Sequence, residues 1–399
     1  MINAQLQASG KNFLSFISLI ALVIPSIALG SSLNINKKTI SIVTGANGYV
    51  GREIVHTLLS PQAKDLLHSF HKKNDCAEHD ILCLVRASRV EEEKKYWETY
   101  LKTKASDCNL KVLPYDMLDE GKSLNDALEM SSTSDNLSNI VLHHVASKFG
   151  PTENHTETAL ENVAGTENTV RVLSKYQNSR MILTSSMAAV RGTGQTPLYH
   201  ESYYTYQDWN TMSKLGLNWG NSYQWSKCNS EKRAWELSKA LGVDMTSICP
   251  SFVFGPFPTQ SGLTSKSYSI ELVSNWIRGE SEVQSRLCVD IRDVALAHVK
   301  AAFTPKTIGE RYIVSAESRL TSKHVANVLK NVCQSNLESG FGDGENIFCD
   351  ENFDGGAVKI GDKEVDAEKR MKEDLDLVCR DVEETMADMG TSLLKSMCK

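Results

Sequence analysis

From Lys38 onward the chain switches repeatedly between two patterns of apolar and polar positions. Thr39 to Thr44 (TISIVT) is a short apolar, β-branched run, and the stretch after it, GYVGREIVHTLL, carries its apolar residues at helical spacing. DILCLVR, LKVLP, NIVLHHVA and SRMILTSS are further runs of the first kind, with helical patterns such as TALENVAGTENTVRVLSKY between them. Strands that are apolar almost without a break are buried on both faces. Their alternation with helices predicts a parallel sheet covered by helices on both sides. After Val190 the rhythm breaks. Residues 191–220 are rich in aromatics and too long for an ordinary connection, which predicts a substrate loop. A helix holding Tyr223 and a sixth strand, VDMTSIC, restore the pattern. Beyond Pro250 the spacing loosens, and a polar, Gly-rich stretch from Asp350 to Gly361 precedes a charged final helix.

At 399 residues, 41% hydrophobic and 23% charged, the chain has globular composition and enough length for two domains. A formal charge of −6 without a block of Lys and Arg lacks the electrostatic footprint of a nucleic-acid binder. There is no C-x-x-C, no H-E-x-x-H and no tight His/Cys cluster, so no metal site is expected. Composition changes the picture only at the N-terminus, where Lys11 precedes the apolar run FLSFISLIALVIPSIALG from Phe13 to Gly30. Interrupted by Pro25, this run is short for a membrane span of ~20 residues, and Ala28-Leu29-Gly30 offers a small-residue cleavage site. Residues 1–30 are therefore expected to be a secretory signal peptide or an uncleaved signal anchor, with organelle import as the alternative. The expected location is the secretory pathway or endoplasmic reticulum, with membrane attachment only if the segment is retained. Cys83 and Cys249 lie in apolar strand-like runs and are expected core thiols, whereas Cys333, Cys349, Cys379 and Cys398 are available for one or two bridges in a lumenal protein. Asn136 and Asn154 are glycosylation acceptors on the same condition.

Candidate chemistry begins where the first strand ends. TGANGYVG places Gly45, Gly48 and Gly51 in the order G-x-x-G-x-x-G between a strand and a helix, where backbone amides and the helix N-terminus can hold a pyrophosphate. Gly45 would make the tight turn, Gly48 would admit the phosphates and Gly51 would let helix pack on sheet. After the second strand an acid marks NAD and an Arg accommodates a 2′-phosphate; LVRASR supplies Arg86 and Arg89 with no acid before Glu91. The fifth strand ends in Thr184-Ser185-Ser186, at the sheet edge where open α/β folds bind ligands. Tyr223 and Lys227 then stand four apart on the next helix, on one face, where an ammonium favours an ionised phenol. Tyr100 and Lys104 share that spacing, but they lie on a peripheral helix crowded with charge.

In this order the motifs resemble an extended short-chain dehydrogenase/reductase, nearest the branch of dihydroflavonol reductases, cinnamoyl-CoA reductases and methylglyoxal reductases. The resemblance rests on TGANGYVG, LVRASR, Tyr115-Asp116-Met117, His144-Val145-Ala146-Ser147, NVAGTENTV, TSSMAAV, YQWSK, PSFVFGP, VDIRDVALAHVKA and GERYIVS. It implies an α/β Rossmann fold, a doubly wound parallel sheet over 38–250 with 288–304 returning to it. A smaller, mostly C-terminal substrate-binding domain would come from 251–287 and 305–399. It further implies that Ser186, spaced four before Val190, bonds a substrate carbonyl, that Tyr223 donates a proton, and that Lys227 binds the nicotinamide ribose and lowers the tyrosine pKa. Asn47, Tyr49, Val50, Val145, Ala146 and Ser147 would line the cofactor beside the glycines. Asp116 and Met117 would approach the adenine, and Pro250 to Val253 the nicotinamide. The implied activity is NADPH-dependent reduction of a ketone or aldehyde by a monomer or homodimer, with NADH the lesser cofactor. An NAD-dependent nucleotide-sugar epimerase, a 3β-hydroxysteroid dehydrogenase-like enzyme and a non-catalytic NADP-binding scaffold are the alternatives.

Overall fold

All six strands foreseen from their apolar runs are present, and the sheet they build has a seventh member. The computed structural model describes residues 33–34, 37–71, 79–104, 108–131, 138–258, 267–336, 344–350 and 361–397. The apolar segment 13–30, Asn136 and Cys398 lie outside them. Among the described residues no helix is long and apolar enough to cross a membrane.

The elements of the first part are β1 (Thr39–Thr44), α1 (Tyr49–Leu58), α2 (Pro61–Phe70), β2 (His79–Val85), α3 (Val90–Lys104), β3 (Asn109–Pro114), α4 (Lys122–Ser131), β4 (Asn139–His144) and α5 (His155–Leu173). They continue with β5 (Ser179–Thr184), the short α6 (Met187–Val190), α7 (Trp219–Leu241), β6 (Asp244–Pro250), β7 (Phe252–Phe254) and α8 (Tyr268–Arg278). Then come β8 (Cys288–Asp290), α9 (Ile291–Phe303), β9 (Arg311–Val314), α10 (Ser322–Gln334), α11 (Glu368–Leu375) and α12 (Val382–Met397). The main sheet runs β3-β2-β1-β4-β5-β6-β9, and every pairing in it is parallel. Strand order reverses between β1 and β4, and that switch point opens a crevice at the carboxyl ends of the strands.

Because side chains alternate across a strand, β1 feeds two cores. Val43 packs with α1, α2 and α9 on one face, while Ile40 and Ile42 pack with α4, α5 and α7 on the other. A third apolar cluster joins α8, α10 and α12 around Trp276, Leu329 and Met389. This cluster is separate from the two that flank the main sheet.

One boundary changes. Residues 305–399 were expected to belong wholly to the substrate-binding part, yet β9 extends the main sheet in register with β6, from Ser247↔Arg311 to Pro250↔Val314. Ile313 and Val314, with Val365, Met371 and Leu375, share the core of α1 and α9. The reason is physical: RYIV is buried along its whole length and covers what would otherwise be a bare edge of β6. The expected bridges in the last quarter are not formed among the described residues. Cys349 and Cys379 are free thiols, and Cys333, packed inside the α8/α10/α12 cluster, is bridged to neither.

Candidate active site

The crevice at the switch point is a cleft of about 2030 Å³. Typical ligand pockets hold ~300–1,000 Å³, so it has room for a dinucleotide and a second molecule. Gly45, Asn47, Gly48, Tyr49, Val50, Arg86, Asp116, Met117, Val145, Ala146 and Ser147 line it, as do Ser186, Tyr223, Lys227, Pro250 and Val253. The fold therefore brings together residues more than 200 positions apart in sequence.

Its floor is the Gly-rich turn. Gly45 has φ +67, and a Cβ there would stand 3.1 Å from the Ala146 backbone, so any side chain between β1 and β4 would be strained and tightly placed. Thr44 Oγ1 accepts from the amides of Val145 and Ala146, both at 3.1 Å, which fixes the two strand ends side by side. Gly48 precedes α1 without a side-chain cap, so the first-turn amides face the cleft without a protein side chain upon them. This cradle, with the buried Ser147 hydroxyl that has no hydrogen-bond partner among the described residues, fits a pyrophosphate-bearing cofactor. Gly51 stands behind the cleft, where a Cβ would lie 2.2 Å from the Gly45 carbonyl oxygen; its role is packing of α1 on the turn. Tyr49 lines the cleft, and its hydroxyl donates to the Gly255 carbonyl at 2.7 Å, which ties α1 to the end of β7.

At the far end of the crevice the two arginines part company. Arg89 is paired with Glu92 at 2.9 Å, whereas exposed Arg86 makes no ion pair among the described residues. Asp116 is exposed and its Oδ1 accepts from the Leu118 amide at 2.9 Å, so the carboxylate shapes its own turn beside the cleft. Met117 fits because residue 165 is glycine: a Cβ on Gly165 would come within 2.5 Å of its Cε.

The Ser, Tyr and Lys side chains converge where β5 ends. Ser186 caps α6, accepting from the Ala188 amide at 3.1 Å, and its hydroxyl is near enough to the Tyr223 phenol to draw that pKa down. Ser185 points the other way, donating to Glu231 Oε2 at 2.6 Å inside the protein, which distinguishes the two serines by geometry. Lys227 Nζ donates to the Thr184 carbonyl at 2.9 Å. Burial lowers the Lys227 pKa to about 8, against the opposing pull of Cys249 and Glu231. Burial likewise pushes the Tyr223 phenol up to about 12, with the Ser186 hydrogen bond drawing it down. The expected lowering of the Tyr223 pKa by Lys227 is thus overturned: desolvation wins, and the phenol rests protonated at neutral pH. The alternative pair is elsewhere, with Tyr100 on α3 packed against His56 at 4.5 Å and Lys104 beside its ring.

Two features were not foreseen. Phe149 lies 4.4 Å from the Tyr223 ring and 5.4 Å from Tyr268, forming an aromatic wall with Phe252. Beneath the site, Arg311 holds Glu231 through two bonds of 2.7 and 3.1 Å, donates to the carbonyls of Tyr206 and Asp208 at 2.8 and 2.6 Å, and stacks over Trp209 at 3.9 Å. Glu231, four residues after Lys227, carries a helical-spacing signal; Arg311 carries none, because its partners are 80 or more residues away.

This fold, with Ser, Tyr and Lys gathered at its switch point, defines an extended short-chain dehydrogenase/reductase. Residues 43–290 match the NAD-binding family described as male sterility protein, and the chain belongs to that family. It is 33% identical over 192 residues to cinnamoyl-CoA reductase 2 of Arabidopsis thaliana, covering 47% of this chain and 54% of that one. It is 28% identical over 221 residues to the NADPH-dependent methylglyoxal reductase of Saccharomyces cerevisiae, covering 50% and 64%. With tetraketide alpha-pyrone reductase 2 of A. thaliana it shares 26% identity over 299 residues, 73% of this chain and 81% of that one. The chain thus spans about half to two thirds of the length of the first two relatives. Among solved structures, yeast methylglyoxal/isovaleraldehyde reductase complexed with NADPH superposes with a TM-score of 0.69 at 23% identity, covering 90% of this chain and 98% of that one.

Proposed function

We propose that this protein is an NADPH-dependent reductase that converts a ketone or aldehyde to an alcohol. The observation that carries the reading is the meeting, in one cleft, of a Gly-rich helix start, an Arg86 without an ion pair among the described residues, and Ser186, Tyr223 and Lys227 together. Named relatives among cinnamoyl-CoA and methylglyoxal reductases support it. Bound NADPH would supply a hydride to the carbonyl carbon. The first turn of α1 and Ser147 would hold the pyrophosphate region, Arg86 the 2′-phosphate, and Pro250 to Val253 the nicotinamide end. Ser186 orients the carbonyl oxygen by donating to it. Tyr223, protonated at rest, passes its phenolic proton to that oxygen as charge develops there, a transfer that runs downhill because an alkoxide is a stronger base than a phenolate even with the phenol pKa pushed up to about 12. Lys227 holds a positive charge one helical turn away.

The direct test is NADPH oxidation, followed by absorbance over a panel of aldehydes and ketones. Turnover of none, with cofactor bound, would favour the scaffold alternative. Cofactor choice is tested at Arg86: losing a charge-assisted bond of ~1.5–3 kcal/mol, Arg86→Ala should weaken NADPH ~10–150-fold and leave NADH nearly unchanged. Arg89→Ala, its cation already on Glu92, should do little. Preference of the wild type for NADH would move the assignment to the epimerase or steroid-dehydrogenase alternatives.

A pH profile tests Lys227. The lysine is protonated below its pKa of about 8 and neutral above it. Because kcat/KM reports the free enzyme, kcat/KM for NADPH is expected to be level below that value and to fall roughly tenfold per unit above it. Lys227→Met should be less active and lose this alkaline limb; a limb that survives the substitution belongs to another group.

A further inference from the structure

Beyond the aromatic wall, the same cleft is lined by a cation with no role in the reading above. Arg286 precedes β8, and the carbonyl of its neighbour Leu287 accepts from the Phe252 amide at 3.0 Å, which seats the arginine beside the segment from Pro250 to Val253. Its guanidinium lies 5.5 Å from the centre of the Phe252 ring and donates to the Gln284 side chain. Its Nε is buried without a partner. Among the described residues it makes no ion pair with an acid. Three other cations that line the cleft are matched, Arg191 and Arg319 to Glu364 at 2.7 and 2.6 Å and Lys148 to Glu161 at 2.5 Å, while Arg86 and Lys227 have roles in the reading above. Burial and the nearby Arg319 both press the Arg286 pKa down, so the site bears the cost of a cation without a counter-charge.

From Tyr223 the rings lead towards it. Phe149 is 4.4 Å from Tyr223, Tyr268 is 5.4 Å from Phe149, and Phe252 is 6.1 Å from Tyr268. A molecule with its carbonyl at Tyr223 would lay an apolar or aromatic body along these faces and bring its other end to the guanidinium. We propose that Arg286 is an anion subsite and that the substrate class is a carbonyl compound bearing an anionic group, a carboxylate or a phosphate, across an apolar spacer. The inference rests on the reductase reading for the placing of the carbonyl.

Calorimetry on the full chain, with and without NADPH, tests it. The ligands are ω-oxo carboxylic acids of increasing length, each beside its methyl ester, and the corresponding oxoalkyl phosphates. An acid or phosphate of fitting length should bind ~10–100-fold more tightly than the neutral ester, the usual gain of a charge-assisted bond; the acid and phosphate arms tell which anion is preferred. Arg286→Gln should erase the preference while the affinities for ester and NADPH stay as in wild type. Equal affinities or no binding by wild type, a preference that survives in Arg286→Gln, or a loss of NADPH affinity in that variant would overturn the proposal. The two readings fail separately. Anion preference without NADPH oxidation would sink the reductase and leave the subsite, whereas turnover of acid and ester with equal affinity would do the reverse.

Discussion

Tyr223→Phe is expected to lower kcat for carbonyl reduction ~10²–10⁴-fold, the span of a single positioned proton donor. The substitution removes one hydroxyl and keeps the ring that packs against Phe149 at 4.4 Å, so the fold and the cleft should be unaltered. Affinity for NADPH should stay near wild type, because the cradle at Gly45 and Gly48 and the cation at Arg86 are untouched. What is lost is the phenol beside Ser186, the group that would deliver a proton to oxygen. Tyr100→Phe serves as the control, since that residue packs against His56 and Trp97 on α3 and should keep full activity. Steady-state kinetics beside a fluorescence titration of NADPH separates the two effects. A Tyr223→Phe enzyme with more than a tenth of wild-type kcat would refute the mechanism.

Arg311→Met should destabilise the fold by ~3–5 kcal/mol, the usual cost of stripping one partner from a buried ion pair. Burial pushes the Glu231 carboxyl up, but the Arg311 guanidinium, with hydrogen bonds from Arg311, Ser185 and Ser247, prevails and holds it below the ordinary carboxylate range. Without the arginine a buried carboxylate is left uncompensated, and the carbonyls of Tyr206 and Asp208 in the 191–220 loop lose their donor. Urea unfolding should show a lower midpoint at unchanged slope. Replacing both partners, Glu231→Met with Arg311→Met, should recover much of the loss because no charge is then left alone. The sign with pH follows from the depressed Glu231 pKa. The pair's contribution is present above the ordinary carboxylate pKa and is lost as pH falls through the folded value, so the wild-type advantage shrinks in acid. Equal midpoints at neutral pH would show the pair to be energetically idle.

By itself the sequence determined the elements whose patterning is local. β1, β2, β4, β5 and β6 were legible because a strand buried on both faces must be largely apolar along its length, and the edge strand β3, where only Val112 is buried, from its place in the alternation. The Gly-rich turn was legible because a positive φ and a close backbone approach leave room for little else. Tyr223 and Lys227 could be preferred over Tyr100 and Lys104 from the order of strands alone. Tertiary structure decided the rest. β7, β8 and β9 are only three or four residues long, too short to carry a period, and their partners define them. That Ser186 faces Tyr223 while Ser185 turns to Glu231 depends on how α6 is capped after β5. The Glu231–Arg311 pair and the wall from Phe149 to Arg286 join distant segments without any local signature. The phenol pKa is the plainest case: helical spacing from Lys227 argued for a lowered value, but desolvation, which depends on everything packed around Tyr223, is the larger force and raises it to about 12.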